Sequence, residues 1–155
     1  MDLTIDIENY RLNIRATGII IHNNKLLVHK DRNLNHYALL GGRIAIGESS
    51  KDTIIREFKE ETGKEVEVIG YVGTVENFFE ADSYKYHEIM FIYQLEFVNE
   101  EDKKIEDTIK NIEGNDYLQY EWLDLEKLEK EPLKPEEIKQ VIKNGKFPVH
   151  KIFQD

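Results

Sequence analysis

Runs of apolar residues separated by polar turns predict several β-strands along the chain. The runs Ala16–Ile21 and Leu26–Val28 flank Asn23-Asn24, and asparagine tolerates the positive φ of a tight turn, so these runs predict a β-hairpin. A short strand or turn is predicted at Tyr37–Leu40, ending at Gly41-Gly42. The other predicted strands are Val66–Val75, His87–Val98 and, as the final strand, Tyr120–Leu123.

The segment Ser49–Thr62 has the periodicity of an amphipathic helix. Ser49 is placed to cap its first turn, with Asp52 as a partner three residues later, and Gly63 is placed to end it. At about 100° per residue, the side chains of this helix form two stripes. The apolar stripe consists of Ile54, Ile55, Phe58 and Thr62, and the acidic stripe consists of Glu57, Glu60 and Glu61.

The last third of the chain is predicted to contain a loop and two helical pieces. Asn99–Asp116 is polar and predicts a loop with a short ordered part. Asp124 can cap a segment that runs to Leu128, and Pro135 suits the first position of a helix that ends at Gly145. Strands and helices alternate without a regular βαβ repeat, which predicts an α/β (α+β) fold with helices packed on a mixed sheet.

Composition narrows the functional classes. The chain has 155 residues, which predicts a single domain over residues 1–155. Its formal net charge of −10 disfavours binding to a nucleic acid polymer, which requires a basic surface. The sequence contains no cysteine, which excludes disulfides and thiolate catalysis. No apolar run approaches the roughly 20 residues of a membrane span, and the start MDLTIDIENYRLN does not resemble a signal peptide, so we expect a cytoplasmic protein without membrane contact.

The acidic stripe of the predicted helix indicates a possible metal site. Like charges three and four residues apart on a helix repel each other, whereas Mg²⁺ is held by a few carboxylates together with water and phosphate oxygens, and Mn²⁺ accepts the same donors. Arg56 lies four residues before Glu60 and is also placed to bond Glu48 in the preceding loop. The competing interpretation is a solvated face, which is common for helices rich in glutamate and lysine.

These residues resemble the Nudix box, G-x5-E-x7-R-E-U-x-E-E-x-G-U, in which U is a bulky apolar residue. Gly42 is followed after five residues by Glu48 and after seven more by Arg56–Lys64, REFKEETGK. All fixed glycine and charged positions are filled, and only Lys64 departs from the pattern. The resemblance extends roughly from residue 15 to residue 142.

The resemblance implies a Nudix-like α/β/α sandwich with a mixed β-sheet. It also implies a hydrolase that cleaves the pyrophosphate bond of a nucleoside diphosphate linked to another moiety, with Mg²⁺ (or Mn²⁺) as cofactor. Many relatives form dimers, so a homodimer is a further expectation. Leu40 and Ala45 stand where many members carry proline and glutamate, and the missing acid bears on the number of bound metals. The implied metal ligands are Glu57, Glu60, Glu61 and Gly42, the implied supporting residues are Glu48 and Arg56, and Gly41 and Gly42 are implied to let the backbone bend close to the substrate.

Residues outside the box are further candidates. The catalytic general base is expected in the loop before the final strand. The phosphates of the substrate are expected to contact basic side chains, and its nucleobase is expected to stack on aromatic side chains. For each candidate, exposure to solvent or packing in the core is the competing role. The candidate bases are Glu113 and Asp116, the candidate phosphate contacts are Arg15 and Lys30, and the candidate stacking residues are Phe78, Phe79, Tyr84 and Tyr86.

Substrate choice is expected to lie in the predicted loops Phe78–Tyr86 and Asn99–Asp116. Strand alternation places His87 and Glu88 on opposite faces, so only one of them can point into a cleft, and Glu76 is another acid that could line it.

Two alternatives from other classes stay open. A Nudix-fold module that senses nucleotides without cleaving them would commonly lack some box glutamates, and all of them are present here. A purely structural acidic domain predicts no tight Mg²⁺ or Mn²⁺ site. An isomerase of the isopentenyl diphosphate type is set aside because its chemistry relies on a cysteine.

Overall fold

A mixed β-sheet lies at the centre of the computed structural model, which describes residues 1–104 and 109–154. In spatial order the strands are β1 (Thr4–Ile7), β2 (Tyr10–Ile19), β7 (Tyr84–Phe97), β6 (Val66–Ala81) and β9 (Val149–Gln154), with β5 (Gly41–Arg43) also paired to β2. β2 pairs in parallel with β7, and β6 pairs in parallel with β9, while the other neighbours are antiparallel. A smaller sheet consists of β3 (Ile21–His22), β4 (Lys25–Asp31) and β8 (Leu118–Asp124).

The described residues form two α-helices, α1 (Ser50–Thr62) and α2 (Ile138–Asn144), which pack on opposite faces of the large sheet. Successive strand residues point to opposite faces. Leu95 of β7 shares a core with Phe58 of α1, whereas Ile92 of the same strand shares the other core with Val141 of α2. The predicted α/β/α sandwich with a mixed sheet is therefore confirmed.

The local predictions for α1 and for the tight turn at Asn23-Asn24 are confirmed. The predicted hairpin is confirmed only next to this turn, where Ile21 and His22 pair with β4, because residues 16–19 belong to β2 and pair with β7 in the large sheet. The Ser49 side chain accepts a hydrogen bond from the Asp52 backbone N–H at 3.0 Å, and Gly63 ends the helix with a φ of 73°. The predicted apolar stripe faces the core, with Ile54, Phe58 and Thr62 buried and Ile55 partly buried. Asn23 and Asn24 have φ values of 49° and 61° and connect β3 to β4.

The central hairpin is longer than the sequence pattern predicted. β6 continues to Ala81, β7 begins at Tyr84, and only Asp82 and Ser83 form the turn between them. The segment Phe78–Tyr86 is therefore mostly strand rather than loop. Polar residues inside both strands broke the apolar pattern, but main-chain pairing with the neighbouring strands continues through them.

Several other boundaries also differ from the predictions. β1 and β9 were not predicted, and β9 makes the prediction of β8 as final strand wrong. Both lie at the edges of the sheet, where pairing rather than a local apolar pattern holds a strand. The predicted short strand was expected to stop at Gly41-Gly42, but these two glycines are themselves part of strand β5, Gly41–Arg43. Pro135 lies in a turn before α2, with its carbonyl accepting from the Ile138 N–H at 3.0 Å, and is not the first helical residue.

The polar segment Asn99–Asp116 contains a 3₁₀ helix at Glu100–Lys103, and residues 105–108 of that predicted loop lie outside the described part of the chain. A second 3₁₀ helix, Leu125–Lys130, is capped by the Asp124 side chain as predicted. Within residues 1–104 and 109–154, the helices lack the length and the apolar composition that a membrane-spanning helix needs.

Candidate active site

Arg56 lies at the junction between the β5–α1 loop and helix α1. Its Nε donates to Glu48 Oε2 at 2.7 Å and its Nη2 donates to Glu48 Oε1 at 2.8 Å, as the sequence predicted. Its Nη1 lies 3.0 Å from both Glu57 Oε1 and Glu60 Oε2. The hydrogen bonds from Arg56, together with one from Thr53, lower the pKa of Glu48 to about 2. The acidic residues at the fixed positions of the box, called the box acids below, are Glu48, Glu57, Glu60 and Glu61. The Arg56 guanidinium therefore binds three of these four box acids.

The carboxylate of Glu57 packs directly against the backbone of Gly42. A Cβ atom on Gly42 would lie 2.2 Å from Glu57 Cδ and 2.4 Å from its Oε1. Burial raises the pKa of Glu57, and the neighbouring charges of Glu60 and Glu61 act in the same direction against Arg56. Gly42 is therefore the residue that leaves room for this carboxylate.

Gly41 and Gly42 do not form the tight bend that was expected of them. Both belong to strand β5 and pair with Thr17 and Ala16 of β2. A Cβ on Gly41 would lie 2.1 Å from the Ala16 carbonyl oxygen. The two glycines allow close approach of backbone and carboxylate, and they do so in an extended conformation.

Glu61 points to a different set of partners. Its side chain is almost fully buried, and its Oε1 accepts a hydrogen bond from the Tyr120 hydroxyl at 2.8 Å. His29 Nδ1 lies 3.3 Å from the same oxygen. Burial, followed by the charge of Glu61, raises the pKa of Tyr120 above its ordinary value, so that the phenol stays protonated and donates. The Glu61 carboxylate is thus held in place by two residues of the small sheet, His29 of β4 and Tyr120 of β8.

Glu113 lies close to these acids. Partial desolvation of its carboxyl and the charges of Glu61 and Glu60 raise its pKa. Its backbone N–H donates to Asn111 Oδ1 at 2.9 Å. The other candidate base, Asp116, is almost fully exposed, and its carboxylate lies 3.9 Å from Arg32. The structure therefore brings Glu113, rather than Asp116, to the box acids.

Arg15 and Phe79 lie on the sheet face that points away from α1. Arg15 is partly buried, and its Nε has no hydrogen-bond partner within the described ranges of the chain. Phe79 stacks on Tyr86 with ring centroids 4.6 Å apart. Between them, on the same face, Glu88 is buried and accepts a hydrogen bond from Asn13 Nδ2 at 2.9 Å.

The remaining candidates contact protein groups. Phe78 stacks on His87 at 4.4 Å on the α1 side of the sheet, which confirms that His87 and Glu88 face opposite ways. Glu76 lies 3.1 Å from His150 and 3.5 Å from His87. Tyr84 packs under the Arg11 guanidinium at 4.0 Å, and Lys30 lies 5.7 Å from the centre of the Tyr37 ring.

The box acids fit a divalent cation in their chemistry. Across residues 1–104 and 109–154, no three Asp, Glu or His side chains are grouped as they would be around a metal ion. Instead, Glu57 and Glu60 converge on a positive charge, the Nη1 of Arg56. Carboxylate oxygens are the donors that Mg²⁺ and Mn²⁺ prefer, so such an ion would compete with Arg56 for the same two oxygens.

The contacts of Glu61 and Glu113 were missed by sequence reasoning. Tyr120 and Asn111 belong to no motif, and each resembles an ordinary residue of a strand or a loop. Only the pairing of β4 with β8 could have indicated these contacts. In that pairing His29 lies directly opposite Tyr120, which places the two side chains next to each other.

Comparison with known proteins places the chain in a family context. The family model of the NUDIX domain matches residues 12–144. Similar solved structures include a MutT protein from Methanosarcina mazei Go1, which has 23% sequence identity and a TM-score of 0.64, with 90% of this chain and 95% of that chain covered. A NUDIX family hydrolase from Clostridium perfringens has 18% identity and a TM-score of 0.63, with 86% and 98% covered. An ADP-ribose pyrophosphatase from Streptococcus suis 89-1591 has 17% identity and a TM-score of 0.55, with 90% and 98% covered. A search of curated proteins finds no match.

Proposed function

Because the chain belongs to the Nudix family of hydrolases, we propose that it cleaves the pyrophosphate bond of a nucleoside diphosphate linked to another moiety, in a reaction that depends on Mg²⁺ or Mn²⁺. Nudix hydrolases act on small nucleotide derivatives and generally use divalent metal ions. The linked moiety is a nucleotide, a sugar or a second nucleoside.

The observation that carries this proposal is the packing of the Glu57 carboxylate against Gly42, beside Glu60 and Arg56. We assign metal binding to Glu57, Glu60, Glu61 and the backbone of Gly42. A bound divalent cation neutralises phosphate charge and makes water more acidic. Arg56 and Glu48 position the loop and the helix relative to each other, because their two-pronged contact spans both.

Glu113 is the proposed general base. A base works best when its pKa is close to the working pH, and the pKa of Glu113 is raised by partial desolvation and by Glu61 and Glu60. Its exposed position gives its carboxylate access to a water molecule. In this role, the carboxylate takes the proton of the water that attacks phosphorus.

Arg15, Phe79, Gly41 and Gly42 are the proposed substrate contacts. Arg15 and Phe79 share the sheet face opposite α1, which supports a substrate that lies along that face. Arg15 as a whole is only partly buried, which leaves part of the residue accessible to a phosphate, whereas its Nε is enclosed and has no partner among the described residues. Phe79 and Tyr86 offer a flat aromatic pair for a base.

Three wider assignments are also part of this proposal. We infer that residues 1–155 act as one domain, that the protein works in the cytoplasm, and that it forms a homodimer. The lack of cysteine supports a reducing compartment. Light scattering of the purified chain tests the dimer directly, and a monomer at micromolar concentration would refute it.

The proposed function is tested with a panel of nucleotides, nucleotide sugars and dinucleotides, each with Mg²⁺, with Mn²⁺ and with a chelator. We expect hydrolysis of at least one compound, only when metal is present, with the attacked phosphorus identified in ¹⁸O-labelled water. A nucleotide-sensing module would bind a compound of the panel without turnover. A structural acidic domain would neither bind nor cleave.

Two matched variants accompany the panel. We expect Glu61→Gln to lower kcat at least about 100-fold, because losing a metal ligand costs more than losing an outer partner. Its thermal midpoint in metal-free buffer should be unchanged or higher, since the amide oxygen still accepts from Tyr120 and a buried charge is removed. Glu67→Gln, at an exposed position of β6, is the control and should behave like wild type. A large loss of stability in Glu61→Gln alone would contradict this account.

A further inference from the structure

Asn111 makes hydrogen bonds in two directions from one side-chain amide. Its Nδ2 donates to the Tyr120 hydroxyl at 3.1 Å, and that hydroxyl donates to Glu61 Oε1 at 2.8 Å. Its Oδ1 accepts from the backbone N–H of Glu113 at 2.9 Å and from that of Asn115 at 3.1 Å. One rigid, planar group therefore connects the buried acid of helix α1 to the loop that carries Glu113.

The two arms of this amide cannot move independently. The oxygen and nitrogen of an asparagine side chain lie in one plane on one short stem, so a shift of the Glu113 turn also shifts the group that holds Tyr120. Tyr120 shares Glu61 Oε1 with His29, which fixes one oxygen of that carboxylate. The orientation of the Glu61 carboxylate thus depends on the Asn111 side chain, which reaches it through the Tyr120 hydroxyl.

The same loop has a second attachment to α1 that does not involve the Asn111 side chain. The backbone N–H of Ile112 donates to the carbonyl oxygen of Glu61 at 2.8 Å. Removing the Asn111 side chain should therefore leave the loop attached to the helix. What is lost is the relative placement of two side chains, Glu61 and Glu113.

We propose that Asn111 is a positioning residue that sets the distance between Glu61 and Glu113, through the Tyr120 hydroxyl on one side and the Glu113 N–H on the other. This inference rests on the proposed function, in which Glu61 binds metal and Glu113 accepts the proton. Outer partners of metal ligands orient them and tune their affinity, and small misplacements of a reacting group slow the chemistry much more than they weaken substrate binding.

Three substitutions separate the arms of the network. Asn111→Ala removes both arms. Asn111→Asp keeps an acceptor for the Glu113 and Asn115 amides but loses the donor to Tyr120. Tyr120→Phe removes the hydroxyl that joins Asn111 to Glu61. Asn144→Ala and Asn144→Asp are matched controls at an exposed asparagine at the end of α2, and Asn144→Asp also reproduces the added charge.

The first readout is Mn²⁺ alone, measured as free Mn²⁺ by electron paramagnetic resonance without substrate. We expect each of the three substitutions to raise the Mn²⁺ dissociation constant about 10-fold. Because Asn111 acts through Tyr120, the double variant Asn111→Asp with Tyr120→Phe should bind Mn²⁺ about as weakly as Tyr120→Phe alone. The added charge of Asn111→Asp would by itself tighten Mn²⁺ binding, so weaker binding cannot come from charge.

The second readout is hydrogen exchange of the Glu113 and Asn115 amides. Exchange should be faster in Asn111→Ala and close to wild type in Asn111→Asp, because only the first loses the acceptor.

With the best substrate of the panel, we expect kcat to fall about 10- to 100-fold in Asn111→Ala, with KM changed less than about threefold.

The outcomes separate this inference from the proposed function. If wild type neither binds Mn²⁺ nor cleaves any compound of the panel, the proposed function fails and the inference fails with it. If wild type does both, but the Asn111 variants match the Asn144 controls, only the inference is overturned. Tighter Mn²⁺ binding in Asn111→Asp, or effects of Asn111 and Tyr120 that multiply in the double variant, would also overturn it.

Discussion

At Gly42, a single hydrogen atom in place of a side chain decides where the Glu57 carboxylate lies. A Cβ there would lie within 2.5 Å of all three carboxyl atoms. Those atoms end a flexible side chain, so the protein can relieve the clash by moving Glu57 rather than by shifting the sheet. The glycine is therefore a requirement of the site and not of the fold.

We expect Gly42→Ala to weaken Mn²⁺ binding about 10- to 100-fold. The free energy of unfolding in metal-free buffer should change by less than about 1 kcal/mol, because alanine is allowed in an extended backbone and Glu57 can rotate away. Titration calorimetry and chemical denaturation measure the two quantities. Gly70→Ala is the control, since its Cβ would lie 3.3 Å from its nearest neighbour, Gln94 Oε1. If Gly42→Ala lowered the free energy of unfolding by as much as it weakened the free energy of Mn²⁺ binding, the glycine would be required by the fold as well as by the site, and this prediction would be wrong.

Sequence distance decided which residue contacts could be predicted. The bond between Arg56 and Glu48 was predictable because both belong to one motif eight residues apart. The partners of Glu61 were not, because His29 and Tyr120 lie 32 and 59 residues away and only the pairing of β4 with β8 brings them together.

At the scale of elements, the loop before α1 is tied to the helix at two points. Ser49 caps the first turn, and Glu48 binds both Thr53 and Arg56. This pairing is partly buried, with 21% of the Glu48 side chain and 32% of the Arg56 side chain exposed. The loop that connects β5, with Gly42, to the helix thus stays in place relative to the acidic stripe.

The Glu48 pairing predicts a pH dependence. The pKa of Glu48 falls from an ordinary value near 4.5 to about 2 in the folded protein, chiefly through Arg56. A lowered folded pKa means that the stabilisation is complete above the unfolded pKa and is lost as pH falls towards the folded one. The difference in unfolding free energy between wild type and Glu48→Gln should therefore be constant above pH ~5.5 and shrink between pH ~4.5 and ~2. Urea denaturation across this range measures it, and a difference that did not change with pH would count against the assignment.

Elements with local signals were predicted almost to the residue, and elements held by pairing were not. Helix α1 has its cap, its apolar stripe and its terminal glycine within one short segment. β1 and β9 have exposed residues and no such pattern, and they exist because β2 and β6 offer free main-chain groups beside them.

For the whole molecule, the net charge of −10 is partly concentrated around one helix face and one loop. Besides burial, the charges of Glu60 and Glu61 raise the pKa values of Glu57 and Glu113. In metal-free solution this repulsion opposes folding, and a bound divalent cation would relieve it.

We therefore expect Mg²⁺ to stabilise the whole fold. A ligand at 100 times its dissociation constant adds about 2.7 kcal/mol to the free energy of unfolding, provided that it binds only the folded chain. For a chain of this size that should raise the thermal midpoint by roughly 5–10 °C. Differential scanning calorimetry with MgCl₂, against NaCl at equal ionic strength, measures the shift. The double variant Glu57→Gln with Glu61→Gln should show no such rise of the thermal midpoint. An equal rise in NaCl would show that the effect comes from charge screening alone.

The two parallel strand pairs have a consequence for the order of folding. β2 with β7, and β6 with β9, each join segments about 75 residues apart, as in the bond between Asn13 and Glu88. Closing such long loops costs chain entropy before any contact rewards it, whereas β6 and β7 need only a two-residue turn. We expect amide protection to appear in the β6–β7 hairpin before β9 during refolding, which pulsed hydrogen exchange would detect. Glu61 meets Tyr120, which lies 59 residues further along the chain. By the same argument this part of the site is completed after the β6–β7 hairpin, so that a newly made chain becomes competent to bind metal late in folding.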